Sequence, residues 1–115
     1  MLETLDNRIK RALEDTGLPC ELNITDEGVS QYIVYSYSEI PDYYADDDAQ
    51  FMEYGVNVYL ILPPIFDPTA LKQKVRRGIY NEFETQPSCI NASSGDEQRY
   101  VYEFNVTGEI YDGHF

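Results

Sequence analysis

The sequence predicts an α+β domain in which two helices pack on one face of an antiparallel or mixed sheet of four to five strands, in the order α-β-β-β-α-β-β. Three observations carry this expectation. Residues 2–13 and 71–83 repeat apolar side chains at three- and four-residue spacing, the helical period. Residues 31–37, 51–62 and 100–107 instead alternate with a period of two and are rich in β-branched and aromatic types. Clusters of Gly, Pro, Asp and Ser separate these segments.

In the first segment Leu2, Leu5, Ile9, Ala12 and Leu13 form one stripe, with Arg8, Lys10 and Arg11 largely off it. Gly17 stops this helix and Pro19 forbids its continuation. A short extended piece, Cys20–Ile24, leads to a turn at Asp26-Glu27-Gly28. Gln31–Tyr37 reads as a strand, with Ile33, Tyr35 and Tyr37 on one face and Tyr32 and Val34 on the other. Ser38–Gln50 contains Pro41, the run Asp46-Asp47-Asp48 and no apolar period. It reads as a loop long enough to point to function or disorder. Phe51–Leu62 sends Met52, Tyr54, Val56, Val58, Leu60 and Leu62 to one face and Glu53, Gly55 and Asn57 to the other. One buried and one wetter face is what an antiparallel sheet allows. After Pro63 and Pro64, Asp67 caps a second helix and Pro68 takes its first position, with Leu71, Val75, Ile79 and Phe83 as the core stripe. Ser88–Ala92 is a short strand and Ser93–Asp96 a turn. Tyr100–Thr107 closes the sheet with Tyr100, Tyr102, Phe104 and Val106 inward.

At 115 residues and 43% hydrophobic content, the chain is one domain, residues 1–115, able to bury somewhat under ~70% of its unfolded surface. Twenty-one acidic against eight basic residues give a net charge of -13. That balance opposes a grip on nucleic acid or an anionic membrane, because phosphate binding needs clustered cations. The 14% aromatic content equally opposes a disordered acidic tail. No apolar run approaches the ~20 residues that span a bilayer, and the charged N-terminal residues do not resemble a secretory signal. The three glycosylation sequons at Asn23, Asn91 and Asn105 therefore read as chance.

The charge is unevenly placed. No Lys or Arg occurs from Ala12 through Leu71, a stretch with twelve acidic residues. Seven of the eight cations fall in two clusters, Arg8, Lys10, Arg11 and Lys72, Lys74, Arg76, Arg77. Basic helices beside an acidic loop and sheet suit self-association, one copy's basic side meeting its neighbour's acidic side. A solvated surface that favours solubility is the alternative.

Reactive chemistry is sparse. His114, the one histidine, stands beside the C-terminal Phe115, a poor place for a base or a metal ligand. Cys20 and Cys89 lack zinc-site spacing and read as two separate buried thiols or as one bridge. The run Asp46-Asp47-Asp48 reads as a solvated loop rather than a pair of tuned acid-base carboxylates. Counted from Asp42, Asp46, Asp48 and Glu53 fit an EF-hand, but Tyr44 at position three and Asp47 at the glycine position do not. No catalytic residue, cofactor or metal is expected. Eleven tyrosines are more informative, since tyrosine gives large contact area at low entropy cost. Tyr43 and Tyr44, beside the acidic run, read as interface residues; Tyr32, Tyr100 and Tyr102 fit the strand alternation.

These features follow one another in a particular order. A helix ending in Gly17-Leu18-Pro19 precedes the strand Tyr32-Ile33-Val34-Tyr35 and the acidic Tyr43-Tyr44-Ala45-Asp46-Asp47-Asp48. Then come Tyr54-Gly55-Val56-Asn57-Val58-Tyr59-Leu60, one helix, and the closing Tyr102-Glu103-Phe104-Asn105-Val106. Over nearly the whole chain this resembles the tail-completion and tail-terminator proteins of long-tailed bacteriophages with non-contractile tails. The resemblance implies a structural protein, not an enzyme. It implies a homohexameric ring at the head-proximal end of the tail tube that ends tube polymerisation and meets the head–tail connector or stopper. It places the protein in the virion tail, assembled in the host cytoplasm, with no membrane contact and with DNA passing without specific binding. On this reading Tyr43, Tyr44, Asp46, Asp47 and Asp48 make inter-subunit or connector contacts, and Lys72, Lys74, Arg76 and Arg77 offer a neighbour the opposite charge. An acidic DNA mimic that inhibits a host nucleic-acid-binding enzyme is the alternative from another class. It would need carboxylates spaced like phosphates along one face.

Overall fold

The computed structural model describes residues 4–22, 30–41 and 51–109. Two helices pack on one face of a five-stranded mixed sheet. Chain order is α1 (Leu5–Leu13), a 3-10 turn (Glu14–Thr16), β1 (Cys20–Leu22), β2 (Tyr32–Pro41), β3 (Phe51–Leu62), α2 (Thr69–Phe83), β4 (Ser88–Asn91) and β5 (Gln98–Glu109). Sheet order is β1-β2-β3-β5-β4. β1 runs parallel to β2, and every other pairing is antiparallel.

The sequence signals fall where the elements are. Thr4 caps α1, its hydroxyl accepting from Asn7 N at 3.2 Å. Leu5, Ile9, Ala12 and Leu13 form the buried stripe. The helix stops through Gly17, whose φ of 70° is the left-handed value that suits glycine. Buried Thr16 secures this end by donating to Leu13 O at 2.7 Å and accepting from Leu18 N at 3.2 Å. At α2 the Asp67 carboxylate accepts from both Thr69 N and Thr69 Oγ1, at 3.1 and 2.7 Å. These bonds hold its pKa below the ordinary value. Pro68 itself stands at the N-cap, in αR conformation, and Thr69 is the first helical residue, so Asp67-Pro68 opens α2 one position later than the residue types predict.

Strand boundaries differ from the expected ones: β4 ends at Asn91 rather than Ala92, β5 runs Gln98–Glu109 rather than Tyr100–Thr107, and β2 runs furthest past its expected end. Ser38–Pro41, expected as the start of a loop, continues β2 and pairs with Met52–Gly55. Hairpin register carries the main-chain ladder past the point where apolar alternation ends. Side-chain pattern does not report that ladder. Pro41 is tolerated because β1 pairs only with Ile33–Tyr35, which leaves the far end of β2 as an edge. The rest of the expected loop, including Tyr43, Tyr44, Asp46, Asp47 and Asp48, lies outside the described residues. So do Leu2, the turn at Asp26–Gly28 and His114.

The core lies between the sheet and the helices. Ile33, Tyr35, Val56, Val58, Leu60, Leu62, Tyr100, Tyr102, Phe104 and Val106 meet the α1 stripe and Val75 and Ile79 of α2. Leu71 and Phe83 pack on its margin, half-buried. Each fully buried aliphatic or aromatic side chain contributes about 1.5–3 kcal/mol over its exposed state. The helices approach closely because α2 carries Gly78 at the contact, where a Cβ would fall onto the Ala12 carbonyl oxygen.

Candidate functional site

Two basic clusters were legible in the sequence, and the structure assigns them different work. On α1, Arg8 Nε lies 3.1 Å and Arg11 Nη2 2.7 Å from Glu82 Oε2. Arg11 Nε adds a bond to Glu82 Oε1 at 2.7 Å, and Arg8 Nη2 donates to Glu82 O at 3.0 Å. Arg8 also stacks 4.6 Å over the Phe83 ring. Hydrogen bonding from Arg11 first, then from Arg8, holds the Glu82 carboxyl below its ordinary range against the opposing effect of burial. These arginines clamp α1 to α2.

On α2 the cations divide. Lys72 Nζ sits 4.4 Å from the Tyr100 ring centroid, and Arg76 Nη1 donates to Pro87 O at 3.0 Å. Lys72 and Arg76 are one helical turn apart and share a depression of about 330 Å³ with Thr69, Gln73 and Tyr102. A second depression continues it along the helix, lined by Gln73, Arg76, Arg77, Tyr80 and Gln86. Lys74 is not part of either; it lies one turn before Gly78, on the side that meets α1. Among the described residues, no carboxylate pairs with Lys72, Lys74, Arg76 or Arg77. Gln73, Tyr80 and Tyr102 belong to this groove although sequence reasoning did not single them out for it. Tyr102 was legible only as a core residue, and half-polar positions on a helix carry no period of their own.

The tyrosines divide as well. Tyr35 and Tyr37 are pinned by one α1 carboxylate, donating to Asp6 Oδ1 and Oδ2 at 2.8 and 3.2 Å. Burial first, and the Asp6 carboxylate next, raise both phenols above their ordinary pKa. Tyr54 meets Tyr37 edge-on at 6.0 Å. Tyr100 and Tyr102 are core residues, as their alternation predicts.

Among the described residues no element packs on the sheet face away from the helices, and this face has two halves. Register aligns Tyr32, Ile61 and Arg99 in one row, and Val34, Tyr59, Val101 and Ile90 in the next. The following rows are Ser36, Asn57, Glu103 and Ser88, then Ser38, Gly55 and Asn105. An apolar half therefore adjoins a polar one. Ile90 is 51% exposed, and Ile65, in the loop after β3, is 97% exposed. Arg99 is the one described cation of this face and pairs with Glu97 at 2.7 Å.

Cys20 and Cys89 are free and half-buried rather than bridged. Burial pushes the Cys20 thiol up to about 11, with Lys10 opposing and Glu21 adding to the shift. Among the described residues, no group of three or more His, Cys, Asp or Glu is placed to hold a metal. No described helix is long and apolar enough to cross a membrane.

No family model and no curated protein sequence matches the chain. Nine solved chains match it in structure. One of them, which bears a sequence label in place of a functional name, superposes with a TM-score of 0.61 at 11% identity. The match covers 93% of this chain and 94% of that one. The likeness is of fold alone. It extends over the whole α+β domain and carries no statement about chemistry.

Proposed function

We propose that this chain is a tail-completion or tail-terminator subunit of a bacteriophage with a long, non-contractile tail. Six copies form a ring on the head-proximal end of the tail tube, stop its polymerisation and present a surface to the head–tail connector. The protein acts as a structural part of the virion tail, assembled in the host cytoplasm, without catalysis, cofactor or membrane. The observation that carries this reading is the row of α2 cations with no described carboxylate partner, in a chain of net charge -13. Cations without a described carboxylate partner on one flank of an otherwise acidic subunit favour contact with an acidic surface, and further copies of the same chain supply one. Tyr43, Tyr44, Asp46, Asp47 and Asp48 are the proposed complement to Lys72, Lys74, Arg76 and Arg77.

The sheet face on which no described element packs supports the same reading. Its polar half holds Ser36, Asn57, Glu103 and Asn105, which suits a passage for DNA without adhesion, because counterion-release binding needs cations. Its apolar half suits contact with protein, either a neighbouring copy or the tube. Native mass measurement tests the proposal: a hexamer, or a monomer that closes into rings on tube ends, is expected. Reversing the exposed Arg77 to Glu is expected to weaken that assembly while leaving the fold intact. A monodisperse monomer or dimer that inhibits a host nuclease would overturn the reading in favour of DNA mimicry. Unchanged assembly after charge reversal would remove its electrostatic part.

A further inference from the structure

The sheet ends in two short strands, β1 and β4, neither of which is paired on its outer side by a described strand. Such edges present unused N–H and C=O groups to a further strand. Ladder parity identifies them. Pro19 O accepts from Ile33 N at 2.8 Å, so Pro19 and Glu21 turn their main-chain groups toward β2 while Cys20 and Leu22 turn theirs outward. Ala92 N donates to Arg99 O at 2.8 Å, so Ala92, Ile90 and Ser88 face β5 while Cys89 and Asn91 face outward.

The two edges match in three respects. Cys20 and Leu22 stand beside the core residues Ile33 and Tyr35, and Cys89 and Asn91 stand beside the core residues Tyr102 and Tyr100. All four outward-turned residues thus place their side chains on the helix-bearing face. Hydrogen-bonded antiparallel partners must share a face, and here they do. Direction matches as well. β1 and β2 run one way, β3 is reversed, β5 is restored and β4 is reversed again, so β4 opposes β1. Charge is the third match. The β4 side carries Lys72, Arg76 and Arg77, whereas residues 14–21 leading into and through β1 carry exposed Glu14, Asp15 and Glu21 and no cation. Lys10, which approaches Cys20, offsets only one of those three acids.

We propose that β1 of one copy pairs antiparallel with β4 of the next, placing Glu21 opposite Ile90, Leu22 opposite Cys89 and Cys20 opposite Asn91. The sheet then continues across the subunit boundary. A head-to-tail contact of this kind repeats around an axis and closes into a ring when its rotation permits. The pairing rests on the ring reading only for the number of copies.

Cross-linking tests it. In a Cys20→Ser, Cys89→Ser background, Glu21→Cys and Ile90→Cys are introduced together; both positions are exposed, so the fold accepts them. Oxidation is expected to join copies into a ladder that ends at the closed ring, and neither single variant is expected to give one. A ring present by native mass without any cross-link overturns the edge pairing and leaves the ring reading standing. A ladder that runs on without closing overturns the ring and leaves the pairing standing, and a chain that stays monomeric and unlinked overturns both. Asn91→Pro supplies a second readout, since it removes an outward N–H and spares the bonds between β4 and β5. Association is expected to weaken about tenfold per interface, while thermal unfolding falls only by what loss of the exposed bond from Ser93 N to Asn91 Oδ1 costs. Association equal to that of the unmodified chain would overturn strand addition.

Discussion

Along the flank of α2 that meets α1, Gly78 lets two backbones touch, and Glu82 gathers Arg8 and Arg11 into one clamp. Along the flank that faces β4, Lys72, Arg76 and Arg77 line an open groove with no described carboxylate beside them. The two basic clusters look alike as sequence, each a short run of cations on a helix. What separates them is a single acid, Glu82, which lies more than seventy positions from Arg8 in the chain. Charge already answered within the fold contributes to stability, and charge left unanswered is available for a partner.

The closed flank should therefore break under small changes. Gly78→Ala places a methyl group against the Ala12 carbonyl, where neither backbone can yield without separating the helices. Overpacking of this kind costs about 1–3 kcal/mol and sometimes more, and the better helix propensity of alanine returns at most about 1 kcal/mol. A net loss of about 2 kcal/mol in urea unfolding is expected. No loss would mean that α1 and α2 are not in backbone contact.

Glu82→Gln comes next in size. It removes the carboxylate shared by two guanidinium groups, and hydrogen bonds to charged groups are each worth about 1.5–3 kcal/mol before the residual amide contacts are counted. A loss of about 1–2 kcal/mol at neutral pH is expected. Its pH dependence has a definite sign. The folded-state pKa of Glu82 is depressed, so its stabilisation is complete above the unfolded value of 4.5 and fades as pH falls through the lower folded value. Unfolding free energies of the two proteins measured from pH 7 downward should converge below the carboxylate range. A gap that persists at the acid end would assign the effect to packing instead of charge.

The same contrast explains what could be read in advance. Helices, strand faces and the N-terminal signal of α2 follow from local periodicity, and Leu5, Ile9, Val58, Leu60 and Val75 are buried as that periodicity requires. The continuation of β2 through Pro41 depends on pairing with β3, which leaves no mark on side-chain alternation. For the candidate site, the cations of α2 were legible as a cluster. Spacing alone sets Lys74 apart from Lys72 and Arg76 on the helix, but which side α1 covers was not legible, because the Gly78–Ala12 contact joins residues far apart in the chain. Asp6 as the shared acceptor of Tyr35 and Tyr37 was equally hidden, since the contact joins residues 29 and 31 positions apart.

The open flank should respond to substitution in the opposite sense. Arg77 is exposed and lies three residues from Lys74, a like charge at helical spacing. Like-charge neighbours at helical spacing destabilise a helix by about 0.2–0.5 kcal/mol per pair. Arg77→Gln keeps helix propensity nearly constant and removes that repulsion, so a gain of a few tenths of a kcal/mol in thermal or urea unfolding is expected. The same substitution should weaken self-association if the groove serves a partner. A residue whose removal improves the isolated fold but weakens assembly is held for the contact it makes outside the subunit. Should Arg77→Gln lower stability instead, Arg77 would belong with Arg8 and Arg11, and the distinction between the two flanks would fail at this position.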